Sequence, residues 1–372
     1  MNDHAHPSDD WEVADPNDMV NDGVVNDDAV NVGVGVDVMD GALDELFGVR
    51  SDPAGTSLAA VVVHRGRIVR ERYGHQPDTV FGPGGPVDRD TTLISWSMAK
   101  SITHALVGIL VNEGRIDIDA PVNVPEWRDT PRASITMGDL LRMRDGLDFV
   151  EDYVIDESGN VASDVIAMLF GEGTDDVATY ARSRPSKHAP GTVWSYSSGT
   201  TNIICSLLGE LVGGPDNLRS FIHERLFDPL GMSSAVPRFD AAGTFIGSSY
   251  VYATARDFAR FGCLYLRDGR WGDRQVVPSS WVDTVHDMHA VDPESGHGYS
   301  WHWWNWAGRP ETMAALGYEG QRIIVDPTRD LVVVHLGKWV AETQPELDRH
   351  LTSIVESFPV ESFPVDSFRV AR

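Results

Sequence analysis

Ser97 and Lys100 stand three residues apart in the run Ser97-Met98-Ala99-Lys100, ahead of a segment whose apolar residues Ile102, Leu106, Ile109, Leu110 and Val111 recur at helical spacing. One helical turn separates the pair, so both side chains share a face. A serine and a lysine at this spacing make a nucleophile with an attached base, the S-x-x-K pattern of acyl-serine chemistry. A breaker-rich stretch, Phe81-Gly-Pro-Gly-Gly-Pro-Val-Asp-Arg-Asp90, precedes them and places Ser97 in the first turn of the helix. There, unpaired N–H groups and the positive end of the helix dipole favour an oxyanion. A lysine entering apolar surroundings loses hydration, its charged form is disfavoured, and its amine becomes a proton acceptor. An ordinary helix start, with Ser97 near the cap and Lys100 snorkelling to water, accounts for the same two residues. Other parts of the chain have to decide.

Two further segments carry candidate chemistry. Gly191-Thr-Val-Trp-Ser-Tyr-Ser-Ser-Gly199 follows Pro190 and precedes an apolar helix over 202–211. A tyrosine on such a loop can point its phenol into a cleft. Beside an ammonium its charged form is favoured, which makes Tyr196 a candidate to share proton transfer with Lys100. A half-buried tyrosine bonded to backbone is the structural alternative. Ala315-Leu316-Gly317-Tyr318 falls on a predicted strand, where Gly317 would admit substrate close to the backbone. The Tyr318 N–H could then join that of Ser97 as an oxyanion hole. A strand glycine marking a bulge is the competing reading.

The chain has 372 residues, 42% of them hydrophobic, enough for one large core or two intimately joined domains. No apolar run is long enough to cross a membrane as a helix. The N-terminus is acidic and lacks an apolar h-region, so it does not read as a secretory signal. Cys205 and Cys263 are too few for a disulfide framework and lack metal-site spacing. A reduced, cytoplasmic location fits these features. The net charge is −26, and arginine supplies 27 of the 30 basic residues. Such a polyanion repels nucleic-acid phosphates and anionic membranes. Many aspartates with few lysines resemble proteins of salt-loving microbes, and a high-GC host with acidic loops is the alternative.

Residues 1–40 read as a disordered acidic leader, followed by a short helix over Asp40–Phe47. Two β-rich runs, 57–64 and 67–73, joined at Arg65-Gly66, predict a hairpin. The region 116–240 is helical and loop-rich, with helices expected over 137–143, 164–170, 176–182, 199–211 and 218–227, then another over 253–266. Strands return at 299–306, 311–316, 321–326 and 331–336. Strands first, helices in the middle and strands last imply an α/β protein of the α+β type: an antiparallel sheet flanked by helices, with a helical insertion. Residues 41–355 would form this domain, and 356–372 a short tail of pentapeptide repeats with no assigned role. Trp301, Trp303, Trp304 and Trp306 alternate on a predicted strand, where they either wall an aliphatic pocket or pack the core.

Competing chemistries leave no trace. There is no G-x-S-x-G pentapeptide, no H-E-x-x-H and no phosphate-binding G-x-x-x-x-G-K-[ST]. His286 and His289 pair on a polar stretch and read as surface. No metal and no organic cofactor is expected.

Five ordered pieces carry a family resemblance: Ser97-Met-Ala-Lys-Ser-Ile-Thr, Val111-Asn-Glu-Gly-Arg-Ile-Asp-Ile-Asp-Ala-Pro-Val122, Asp139-Leu-Leu-Arg-Met-Arg-Asp-Gly-Leu147, Pro190-Gly-Thr-Val-Trp-Ser-Tyr196 and Asp228-Pro-Leu-Gly-Met232. Over about 42–355 the chain resembles the serine β-lactamase-like hydrolases, which include penicillin-binding proteins, class C β-lactamases, related carboxylesterases and 6-aminohexanoate-dimer hydrolases. The resemblance implies a β-lactamase/transpeptidase-like fold with Ser97 as nucleophile, Lys100 as its base and Tyr196 as proton relay. It is nearest the 6-aminohexanoate-dimer hydrolase branch, through Gly317-Tyr-Glu-Gly-Gln321 and Glu151-Asp152-Tyr153, and so implies a lid role for Tyr153. Two positions depart from the family. Tyr196-Ser197-Ser198 lacks the usual asparagine, and Ala315-Leu316-Gly317 replaces Lys-Thr-Gly, which removes the cation that holds a β-lactam carboxylate. The expected partner is a small amide or ester substrate. A carboxylesterase, a D-amino-acid peptidase or a non-catalytic binding protein of the same fold are the alternatives, and the resemblance also points to homodimers.

Overall fold

The computed structural model describes residues 11, 13, 29–48, 55–78, 82–152, 154–155 and 161–360. In chain order its principal elements begin with helix α1 (Ala29–Phe47) and strands β1 (Gly55–His64) and β2 (Arg67–Tyr73). Helices follow: α2 (Ala99–Asn112), α3 (Met137–Leu141), α4 (Asp164–Phe170), α5 (Val177–Arg182), α6 (Ser198–Val212), α7 (Pro215–Ile222) and α8 (Ala255–Leu266). Then come strands β3 (Ala290–Val291), β4 (Gly298–Tyr299), β5 (Trp304–Trp306), β6 (Arg309–Gly317), β7 (Gln321–Asp326) and β8 (Leu331–Trp339), and finally helix α9 (Gln344–Glu356).

Strands β1 and β2 meet at Arg65-Gly66, with φ of +50° and +76°. Two left-handed residues make a primed turn whose twist matches the strands it joins. The eight strands form one antiparallel sheet in the order β3-β4-β5-β6-β7-β8-β1-β2. The first strand therefore closes on the last, with Val61 opposite Val334 and Val62 opposite Val333. Side-chain alternation then sorts the core. Ala60 and Val62 face Met39, Leu43 and Leu46 of α1 and Leu347, Leu351 and Ile354 of α9. Val61 and Val63 face the other way, into a core with Ile102 and Leu106 of α2 and Phe258 and Phe261 of α8. Covering both faces requires β1 to be apolar at successive positions, as the run Leu58–Val63 is.

Three expectations are corrected. The leader does not extend to residue 40, because α1 begins at Ala29. Gly35 lies where a Cβ would strike the Ser357 carbonyl, so the helix uses the missing side chain to approach the end of α9. The predicted strand over 299–306 is broken into β4 and β5. His302 takes a φ of +59°, and Ser300 N–H donates to the Trp303 carbonyl at 3.0 Å, closing a tight turn. Finally, the first repeat of the tail is part of the core: Phe358 is buried and packs at a tilt against His64, with ring centroids 4.9 Å apart. Residues 361–372 lie outside the described residues.

The contact between α8 and the sheet is close because Gly262 has no side chain. A Cβ there would sit 2.6 Å from Val332 Cγ1 and 2.9 Å from Ile323 Cγ2. Alanine is the better helix former by about 1 kcal/mol, whereas overpacking a filled core costs about 1–3 kcal/mol. Gly262→Ala is therefore expected to lower the melting temperature in calorimetry; an unchanged or higher value would show that α8 can slide.

Candidate active site

Ser97 sits in a 3₁₀ turn, Trp96–Met98, that runs directly into α2. The turn is sharp: Trp96 has a φ of +43°, left-handed for a residue with a large side chain. Surrounding contacts hold it there. The Trp96 indole donates to the Glu319 carboxylate at 3.0 Å, and its ring lies 5.8 Å from those of Tyr250 and Tyr318. Ser95 Oγ, just upstream, donates to the Ser249 carbonyl and accepts from Val251 N–H at 3.1 Å.

Lys100 is 2% exposed. Its Nζ lies 3.0 Å from each of Ser97 Oγ, Ser198 Oγ and the Ser248 carbonyl. Burial pulls the amine down to about 8, against the attraction of the Glu151 carboxylate and Cys205. The same Nζ is 4.8 Å from the centre of the Tyr196 ring. Tyr196 is placed by α6, whose cap is the next residue: Ser197 Oγ accepts from Thr200 N–H at 3.0 Å. Ser97 is the neighbour that pulls the phenol's pKa down. The expectation that Lys100 would favour a phenolate does not hold. Burial, with Glu151 adding to it, pushes the phenol well above its ordinary range, so Tyr196 is a neutral O–H group. Around it stand Trp304, with ring centroids 5.3 Å apart, and Tyr299 at 5.8 Å. Of the four clustered tryptophans, Trp301, Trp303 and Trp306 pack the core, and Trp304 is the half-buried one beside the site.

Two residues that sequence reasoning did not single out complete the lysine's surroundings. Glu151 Oε1 accepts from the Ser198 hydroxyl at 2.6 Å, and Oε2 from the Ser198 N–H at 2.7 Å. Burial pushes the Glu151 carboxyl up, while Lys100 and the Ser198 bonds pull it down. In the sequence Glu151 was part of a three-residue match and Ser198 a departure from the usual asparagine; neither pointed to the other. Ser248 contributes a carbonyl, which no side-chain pattern could reveal. Tyr153, the expected lid residue, lies outside the described residues.

Gly317 ends β6 against the Ser97 turn. A Cβ at Gly317 would lie 2.5 Å from the Ser95 carbonyl and 3.2 Å from Ser97 N, so this approach requires glycine. Its φ of −132° is ordinary, so close contact is the reason, rather than backbone conformation. The chain then turns through Tyr318, Glu319 and Gly320, with φ of +59° at Glu319 and +84° at Gly320. Every part of that turn is held. Arg322 Nη1 donates to the Gly317 carbonyl at 3.0 Å, and Gln321 Nε2 to the Tyr318 carbonyl at 3.0 Å. Gln321 also bridges to β8, donating to the Gly337 carbonyl and accepting from Gly337 N–H at 3.1 Å. His335 Nδ1 meets the Gly320 carbonyl at 2.7 Å, so that nitrogen carries the proton. Burial holds the ring neutral, at about 4, and leaves Nε2 to accept from Ser57 Oγ at 2.9 Å. The Gly-x-x-Gly-Gln spacing thus has a mechanical meaning: it fixes where the Tyr318 backbone stands relative to Ser97.

Among the described residues no group of His, Cys, Asp or Glu could hold a metal ion, and no helix is long and apolar enough to cross a membrane. The chain is 27% identical over 302 residues to the 6-aminohexanoate-dimer hydrolase of Paenarthrobacter ureafaciens, covering 76% of this chain and 73% of that one. A class C β-lactamase from Rhodobacter sphaeroides shares the fold with a TM-score of 0.61 at 18% identity, over 86% of this chain and 99% of that one. The octameric penicillin-binding protein homologue from Pyrococcus abyssi gives 0.62 at 15% identity, over 90% and 78%. The beta-lactamase family model matches residues 44–353. That span takes in the whole sheet and every side chain around Lys100, and the chain belongs to the beta-lactamase family.

Proposed function

We propose that this protein is a serine hydrolase that cleaves a small amide or ester through an acyl-Ser97 intermediate, with linear amides of the 6-aminohexanoate-oligomer type as its leading substrate class. The observation that carries the reading is a lysine amine, buried and drawn down to about 8, at 3.0 Å from a serine hydroxyl. Neutral Lys100 takes the Ser97 proton as Oγ bonds to the substrate carbonyl carbon, and the carbonyl π pair moves onto oxygen. The Ser97 and Tyr318 N–H groups receive that oxyanion. As the tetrahedral adduct collapses, the C–N or C–O bond breaks. The leaving atom takes the Tyr196 proton, and Tyr196 recovers one from Lys100. Water then gives a proton to Lys100 and adds to the acyl carbon, and Ser97 departs with the proton restored.

The substrate class draws on the relative's name and on the substrate side of the site. Half-buried Trp304 stands beside Tyr196 and offers aromatic surface suited to methylene chains, with buried Tyr299 packed against both rings. A β-lactam fits less well. Ala315 and Leu316 stand where β-lactamases present a lysine and threonine, and the nearby cation Lys338 is engaged by Glu319 at 3.0 Å.

Ser97→Ala is expected to abolish both turnover and labelling by a fluorophosphonate probe, read by intact mass, while the melting curve stays unchanged. Normal turnover in that variant would end the assignment. In a panel of linear amides, short esters and β-lactams, the amides are expected to turn over fastest; ester-only activity would reassign the chain to an esterase. Because Lys100 acts as a base only when neutral, kcat/KM should rise as pH increases through about 8 and level off above it. A flat profile across that range would remove Lys100 from the base role. Gly317→Ala should cost about 10²–10³ in kcat, the size of effect known for losing one oxyanion donor, because the methyl would force the Tyr318 N–H away from Ser97.

A further inference from the structure

We infer that Glu151, acting through the Ser198 hydroxyl, aims the lone pair of neutral Lys100 at the Ser97 hydroxyl; the inference rests on the acyl-serine reading above. Counting hydrogens at Nζ leads to it. Three oxygens lie at 3.0 Å: Ser97 Oγ, Ser198 Oγ and the Ser248 carbonyl. A carbonyl only accepts, so one Lys100 hydrogen goes to Ser248. A serine hydroxyl is ambiguous, since it can donate or accept. An amide oxygen at position 198, as in the usual Tyr-x-Asn, would not be. Glu151 removes the ambiguity. An ionised carboxylate only accepts, and Oε1 is 2.6 Å from Ser198 Oγ, so the Ser198 proton points to Glu151. Ser198 Oγ must then accept the second Lys100 hydrogen. A neutral amine has two, and both are now committed. Its lone pair is left facing the third neighbour, the Ser97 hydroxyl, whose proton it is to receive.

The second carboxylate oxygen keeps the arrangement rigid. Oε2 accepts from the Ser198 backbone N–H at 2.7 Å, in the first turn of α6, so Glu151 grips one residue at two points. Glu151 and Ser198 are thus positioning residues that together replace one amide. The charged and titratable groups around them are few. Lys100, Tyr196 and Tyr299 feel the Glu151 charge, and Asp152 adjoins it. Cys205 on α6 and His302 in the turn between β4 and β5 face Lys100. Of these, Glu151 is the group that opposes Lys100 deprotonation by charge most strongly. The carboxylate therefore trades a higher base pKa for a correctly aimed lone pair.

The test is the rate at which a fluorophosphonate labels Ser97, followed by intact mass over a pH series spanning the Lys100 midpoint, in wild type, Glu151→Gln, Ser198→Ala and Ser198→Asn. Glutamine presents one acceptor to two donors, and its NH₂ donates to Ser198 Oγ. The Ser198 proton then turns onto the Lys100 lone pair. The plateau rate should fall by about tenfold or more, a part of the roughly 10²–10⁴ that a general base contributes, while the pH midpoint moves down because the carboxylate charge is gone. Ser198→Ala should also lower the plateau by about tenfold, but without a downward shift, because the charge remains. A plateau that stays as low in Ser198→Asn, which returns an amide oxygen to that position, as in Ser198→Ala marks lost packing alone and overturns the inference. So does Glu151→Gln labelling at the wild-type rate. Wild-type protein that never labels overturns the acyl-serine reading, and this inference with it.

Discussion

Withdrawal of a single ammonium group from water is the interaction on which the rest of the site depends. Lys100 is one of only three lysines in the chain and is almost wholly buried. Desolvation lowers its affinity for a proton, and the neighbours at Nζ decide what the neutral amine faces. The sharp turn at Trp96, the cap at Ser197 and the grip of Glu151 on Ser198 all fix oxygen atoms around that nitrogen. The protein's large negative charge has little part in this. Exposed carboxylates are screened over a Debye length, whereas Glu151 acts within the site through hydrogen bonds of 2.6 and 2.7 Å.

The sheet supplies the other half of the geometry. Closing β1 onto β8 brings together strands from early and late in the chain, and α8 packs closely enough on the inner face to need a glycine at 262. At the end of β6 the backbone is delivered to within contact of Ser97 N. The site is therefore a junction between a helix start and a strand end.

What could be read from the sequence follows from how local each signal was. Ser97 and Lys100 share one helical turn, so their spacing alone places them together. The hairpin at Arg65-Gly66 and helix α4 were equally local, and both lie where expected. Tyr196 and Gly317 stood as candidates on their own segments, each with a competing structural reading, and the resemblance to a family tied them to the pair, since nothing in the intervening residues requires them to meet. Glu151 and Ser198 are 47 residues apart in the chain and make their contact entirely through tertiary structure. Helix α1 was missed for a related reason. Its glycine-rich beginning has poor intrinsic helicity, and packing against α9 and β1 overrides it. The tryptophan stretch misled in the opposite sense: alternation suggested one strand, and the left-handed His302 divides it.

The turn after Gly317 leaves little room for drift. Its carbonyls are claimed by Arg322, Gln321 and His335, and His335 leans in turn on Ser57 from the first strand. A substitution there disturbs partners drawn from three strands at once. The aromatic cluster of Trp304 and Tyr299 beside Tyr196 is built from side chains. Diversification of this scaffold toward new substrates is thereby channelled: the backbone turn is kept by architecture, and the aromatic side chains are open to being rewritten residue by residue.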